Sequence, residues 1–129
     1  MQKLFYVGIG GFLGALIRYL ISNASTKLLG TRLPYGTLIV NILGGFLIGL
    51  IMSLSMNKNL ISPNLKLFLT TGVMGGLTTF STFSYETVTL FNNGSYILGV
   101  INISLNLFLS LIGVVLGQFI SHLLLWNLV

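Results

Sequence analysis

The chain has no cysteine and only one acidic residue, Glu86, against six Lys and Arg. Without cysteine there is neither a disulfide nor a thiolate metal site. One carboxylate and one distant histidine, His122, make no acid–base pair, so an enzyme is the least favoured class. Charge of either sign is scarce, at 5% of 129 residues. Soluble domains carry about 25%. Hydrophobic residues make up 54% of the chain, with a mean hydropathy of +1.00. Such a chain cannot cover itself with solvated surface, and it reads as a multi-pass integral membrane protein. The net charge of +5 comes from scattered residues near span ends, which favours anchoring at the membrane surface over nucleic acid. The first apolar run reaches Arg18 without the Ala-x-Ala exit of a cleaved signal. No nucleotide-binding loop is present, so any transport is expected to be passive.

What is there is long apolar runs. They predict an all-α fold: one four-helix transmembrane domain over residues 1–129, with spans of about 4–22, 35–56, 65–92 and 96–125, each long enough for the roughly 20 residues that a bilayer requires. A polar loop is expected from Asn23 to Pro34, and another from Asn57 to Asn64. Small residues four apart (Gly10 and Gly14, Gly45 and Gly49, Gly113 and Gly117) predict close helix approach. The third span is long for one crossing. Gly75-Gly76 in its middle weakens the helix, and a break mid-membrane would free carbonyls that need a partner, a bound cation being one.

The stretch Gly72 to Glu86 holds three glycines, a run of hydroxyl side chains, Phe80 and Phe83, and the sole acid. Polar atoms at bilayer depth are costly unless paired or lining a cavity, so this stretch is expected to build a site. Helical spacing puts Phe80 and Phe83 on one face, and Thr79, Thr82 and Glu86 opposite. Phenylalanine rings have positive edges, which can face a small anion without a full charge; two core rings are the plainer alternative. On the second span, Thr37, Asn41, Gly45 and Gly49 form a stripe, and Asn41 offers two neutral donors or a helix–helix hydrogen bond. On the fourth, Asn102, Asn106, Ser110, Val114 and Gln118 form a polar rail interrupted at Val114. Arg18 is either snorkelling to the interface or the positive end of an anion route.

Lys3, Lys58 and Lys66 fall on one side of the expected membrane, and Arg18, Lys27 and Arg32 on the other. Three against three gives no positive-inside bias, so the chain is expected to insert both ways and pair as an antiparallel, dual-topology homodimer, with the small-residue seams supplying the contact.

The run Gly75-Gly76-Leu77-Thr78-Thr79-Phe80-Ser81-Thr82-Phe83-Ser84, with Thr37-Leu38-Ile39-Val40-Asn41 and Gly10-Gly11-x-x-Gly14-x-x-x-Arg18 before it, resembles the small fluoride channels called Fluc or CrcB. The likeness covers all four segments. It implies a fluoride-selective channel of the plasma membrane that relieves fluoride toxicity, with two pores per antiparallel homodimer. Asn41 would match the pore asparagine, and Phe80 and Phe83 the paired rings. Asn106 and Ser110 would lie on the polar rail, and Thr37, Ser81, Thr82 and Glu86 toward the pore's outer section. Arg18 would stand at the vestibule. Gly75 and Thr78 would supply carbonyls to a structural sodium ion on the dimer axis.

The main rival is a small dual-topology, proton-coupled exporter of cationic compounds, with Glu86 as its carboxylate. That reading needs an acid in mid-span and an aromatic cage, whereas Glu86 lies about two turns beyond the phenylalanine pair. A structural subunit without transport is the third class.

Overall fold

The computed structural model describes residues 1–56 and 60–126, and among them there are helices and short turns but no strand. In chain order these are α1 (Gln2–Leu29), α2 (Tyr35–Met56), α3 (Pro63–Leu67), a widened π-helical stretch (Phe68–Met74), α4 (Gly75–Leu77), α5 (Phe80–Asn92) and α6 (Tyr96–Trp126). Three of them, α1, α2 and α6, are long and apolar enough to cross a membrane. The third expected span is the composite running from α3 to α5. At 1.5 Å per residue, the 28 residues of α1 and 31 of α6 reach about 42 and 46 Å, beyond the roughly 30 Å hydrocarbon layer, so their ends emerge from it.

The expected loop from Asn23 is shorter than its composition suggests. Helix α1 continues to Leu29, because Ser25 and Thr26 turn their hydroxyls back onto the Ile21 and Ser22 carbonyls at 2.7 and 3.0 Å. Gly36 at the start of α2 lies against Ser22, which fixes this end. The helix stops where Gly30 takes a φ of 81°, a conformation that glycine adopts without steric cost. Of the other expected loop, residues 57–59, Lys58 included, lie outside the described residues. Ser62 caps α3 by accepting the Leu65 N–H at 3.3 Å, with Pro63 at its first position.

The glycine seams are used inside one chain. A side chain on Gly10 or Gly14 would collide with the backbone of Phe68–Leu77, and one on Gly45 or Gly49 with the Ser110 and Val114 carbonyls of α6. Gly113 and Gly117 face Ile42 and Phe46 of α2 in return. These faces are therefore closed to a second copy. The expectation that they join a dimer is corrected: backbones this close leave no room for another helix.

The result is two tight pairs, α2 with α6 and α1 with the π-helical stretch and α4, while α5 leans on α6. The buried apolar core is small: Val40, Met74 and Leu77, with Ile21, Leu47, Ile48 and Val73 against them. Large apolar residues such as Leu4, Phe5 and Phe12 on α1 and Val115 and Phe119 on α6 are exposed, which suits lipid or another apolar chain rather than water.

Candidate functional site

The helical pattern stops after Leu77 and resumes at Phe80, with Thr78 and Thr79 extended between them. Gly75-Gly76 is not where it stops, since both glycines are within α4 and Gly75 has helical φ and ψ. The cause is a side chain from another helix. Asn41 of α2 accepts the Thr79 N–H on Oδ1 at 2.9 Å and donates Nδ2 to the Thr79 carbonyl at 3.2 Å. In a continued helix that N–H would close on the Gly75 carbonyl four residues back. Thr79 then caps α5, its Oγ1 accepting the Thr82 N–H at 3.2 Å. Gly44, one turn beyond Asn41, leaves the space that the Thr78 methyl occupies.

Beside this junction lies an open groove of about 670 Å³ between α2, α6 and the composite third segment. It gathers Asn41, Phe80, Phe83, Asn106 and Ser110, and also Gly75 and Thr78. The Phe80 and Phe83 rings are 5.5 Å apart and tilted by 53°. Phe80 is 80% exposed, so one side of the groove is open. The Ser110 hydroxyl is buried and has no hydrogen-bond partner among the described residues.

The other expected site residues lie elsewhere. Thr37, buried one turn before Asn41, donates to Glu86 Oε1 at 2.9 Å. The second oxygen, Glu86 Oε2, is buried without a partner among the described residues, and neither Thr37 nor Glu86 lines the groove. Ser81 and Thr82 sit at the exposed start of α5 within reach of Thr79 Oγ1, at 3.3 and 3.0 Å. Arg18 is half-buried on α1 and also outside the groove lining. Of the rail on α6, Asn102 and Asn106 are buried and Gln118 is exposed.

Two residues that hold the groove, Thr79 and Thr87, were not picked out for it from the sequence, and Asn102 was read only as a member of the rail. Asn41 Nδ2 also donates to Asn106 Oδ1 at 2.9 Å. Asn106 Nδ2 donates to Asn102 Oδ1 at 3.0 Å and to the Asn102 carbonyl at 3.1 Å. Asn102 Nδ2 donates to Thr87 Oγ1 at 2.9 Å, and Thr87 donates to the Phe83 carbonyl at 2.8 Å. Asn102 had a signal in the four-residue rail, and Thr79 in the Thr-x-x-Thr spacing of a helix cap. Thr87 had none, because its partner lies on another helix. Chemically, the groove is lined by neutral amide and hydroxyl groups and ring edges, with no fixed positive charge among its lining residues.

The family model described as CrcB-like protein, Camphor Resistance (CrcB) matches residues 5–118. The chain is similar to a Clostridium perfringens protein named fluoride-specific ion channel FluC, 61% identical over 127 residues, covering 96% of this chain and 99% of that one. A protein of the same name from Clostridium novyi is 58% identical over 121 residues, covering 92% and 94%. A third, from Dehalococcoides mccartyi, is 46% identical over 127 residues, covering 98% of each.

Proposed function

The chain belongs to the CrcB family, and from that premise we propose that it is a fluoride-selective channel of the cell membrane through which the ion flows passively. The observation that carries this reading is the convergence of Asn41, Ser110 and the two phenylalanines on one groove. Relatives named as fluoride-specific channels match nearly end to end. Fluoride is small and strongly hydrated. A path for it must replace water with good donors yet hold the ion loosely enough to release it. Neutral amide and hydroxyl donors with ring edges meet both demands, whereas a lysine in the path would trap the ion.

We further propose that two copies in opposite orientations complete the path, giving two pores per homodimer. The even division of Lys and Arg supports insertion both ways, and the open groove with exposed Phe80 supports coverage by a second copy. Gly75 and Thr78 fit a structural sodium ion at that contact. The Thr79 N–H is drawn to Asn41 rather than to the Gly75 carbonyl, Gly75 faces open space, and carbonyl oxygens are the hard, neutral donors that unwound backbone offers to sodium. When bound, sodium would supply a fixed positive charge that ties the two interrupted segments together. Thr37, Glu86, Ser81 and Thr82 would serve the outer section of the path and Arg18 its mouth.

Purified protein in liposomes tests the reading. Fluoride efflux without a proton gradient, and little chloride efflux, is the expected result. Strict pH-driven uptake of organic cations would overturn it in favour of the exporter. The pairing has its own test, because the chain has no cysteine. Gly75→Cys should form an oxidatively crosslinked dimer, and a conducting variant that never crosslinks would remove Gly75 from the dimer axis.

A further inference from the structure

We infer that Thr87 and Asn102 are positioning residues that, together with the Thr79 backbone, hold which way the Asn41 amide faces. Neither lines the groove, and they are only 5% and 2% exposed. The inference follows from counting hydrogens. Thr87 has one hydroxyl hydrogen, and the Phe83 carbonyl takes it at 2.8 Å. Toward Asn102, Thr87 can therefore only accept. Asn102 must turn its Nδ2 to Thr87, which leaves its Oδ1 facing Asn106. Asn106 must then turn Nδ2 to Asn102 and Oδ1 to α2. Asn41 in turn presents Nδ2 to Asn106, and its own Oδ1 meets the Thr79 N–H.

Both ends of this relay are backbone groups of one short stretch, the Thr79 N–H and the Phe83 carbonyl. The first demands an acceptor, while the second, already bonded within α5, takes the Thr87 hydrogen as an added donor, so the two ends agree on one polarity for the three amides between them. Turning any one amide over sets donor against donor or oxygen against oxygen, and each leaves a buried polar group unpaired. The consequence falls on the groove, where Asn41 and Asn106 are the two side-chain amides of the relay in the lining. An arriving anion meets the Asn41 Nδ2 rather than its oxygen, and competes for its two hydrogens with the Thr79 carbonyl and Asn106 Oδ1. The importance of this for conduction rests on the fluoride reading; the polarity itself does not.

The experiment compares Thr87→Val with Thr87→Ser. Valine keeps the shape and deletes the hydroxyl, while serine keeps the hydroxyl. The first readout is the side-chain amide NMR signal of Asn41 in the detergent-solubilised protein. It should be single in the wild type and in Thr87→Ser, and doubled or broadened in Thr87→Val. The second is fluoride efflux, which should fall about tenfold in Thr87→Val, the factor for one net hydrogen bond, and stay within about twofold in Thr87→Ser. With Asn106→Leu as background the relay is already cut, so Thr87→Val should have no further effect on either readout. A single, unshifted Asn41 signal in Thr87→Val, or its full effect persisting in the Asn106→Leu background, would overturn the assignment. If Thr87→Val does not assemble, Asn102→Leu cuts the relay one link along and is read in the same way. A wild type that passes no fluoride would remove the channel reading, while the amide signal would still decide the relay.

Discussion

Replacing Asn41 with aspartate removes two donors from the groove and leaves one acceptor in place. The Asn41 Nδ2 hydrogens go to the Thr79 carbonyl at 3.2 Å and to Asn106 Oδ1 at 2.9 Å, while Oδ1 accepts the Thr79 N–H at 2.9 Å. Aspartate keeps that last bond, and with it the interruption between α4 and α5, so the variant should fold. It cannot make the other two. Losing a donor to each acceptor costs about 1–2 kcal/mol, and the new carboxylate also confronts Asn106 Oδ1 and the approaching anion. Taken together, about 2–4 kcal/mol laid on the ion's passage slows it about 30- to 900-fold. The assay is fluoride-electrode recording of efflux from liposomes holding equal amounts of protein, after gel filtration has shown that the variant elutes as the wild type does. A flux within about threefold of wild type corresponds to less than one hydrogen bond, and would refute the idea that the passing ion draws on the Asn41 donors.

Phe83→Ile should slow efflux about two- to thirteenfold with an unchanged gel-filtration profile, since it keeps bulk but deletes a ring edge worth about 0.5–1.5 kcal/mol; unchanged efflux in the same liposome assay would remove the ring from the path. The melting temperature of the purified protein should be higher in sodium than in potassium or choline salts, and superimposed curves would dismiss the ion proposed at Gly75 and Thr78. Gly49→Val puts a side chain where the Val114 carbonyl stands, so it should destabilise the chain by about 1–3 kcal/mol, read as a lower melting temperature. Thr37→Val takes from Glu86 Oε1 its protein donor, leaving neither carboxylate oxygen paired among the described residues, and a loss of about 1–3 kcal/mol in the same melt is expected.

The boundaries of α2 and α6 were legible because each is an apolar run between strong signals: Pro34 before Tyr35, and the Asn92 to Ser95 turn, with Gly94 at a φ of 74°, before Tyr96. The end of α1 was not. Polar composition marks a loop, but Ser25 and Thr26 satisfy their hydroxyls on their own helix. For the third segment, glycine propensity pointed to Gly75-Gly76, yet the helical pattern stops at Thr78–Thr79. What decides the position is Asn41, 38 residues earlier, and no local preference contains that. The π-helical stretch left no trace in the sequence either, since it is a shift of hydrogen-bond register rather than of residue type. The groove was read more fully than the fold around it. Asn41, Phe80, Phe83, Asn106 and Ser110 do come together, because four-residue spacing on α2 and α6 and three-residue spacing on α5 each point one face inward. Thr37 and Glu86 bond to each other and not to that group, a pairing that periodicity within a single helix cannot reveal.

The glycine seams bear on the proposed homodimer through what they exclude. Small-residue faces are the cheapest contact between helices in lipid, and here the seams on α1, α2 and α6 are taken up within the chain. A second copy must therefore dock on larger side chains, and the open groove is the place where docking would matter most. On its open side the single chain leaves a phenylalanine ring 80% exposed and Gly75 with nothing beside it. In the wall, the Ser110 hydroxyl lacks a partner among the described residues. In lipid these would be unfavourable together, since a polar atom at that depth needs a donor, an acceptor or water. Closing the groove with a second chain would bring the ring under cover and turn the Ser110 hydroxyl toward a narrow, partly hydrated path. On that argument the unpaired hydroxyl is not a defect of packing but the group that an ion or water in transit would bind. Conduction should then be more sensitive to Ser110→Ala than stability is, because the wild-type hydroxyl has no hydrogen bond among the described residues to lose.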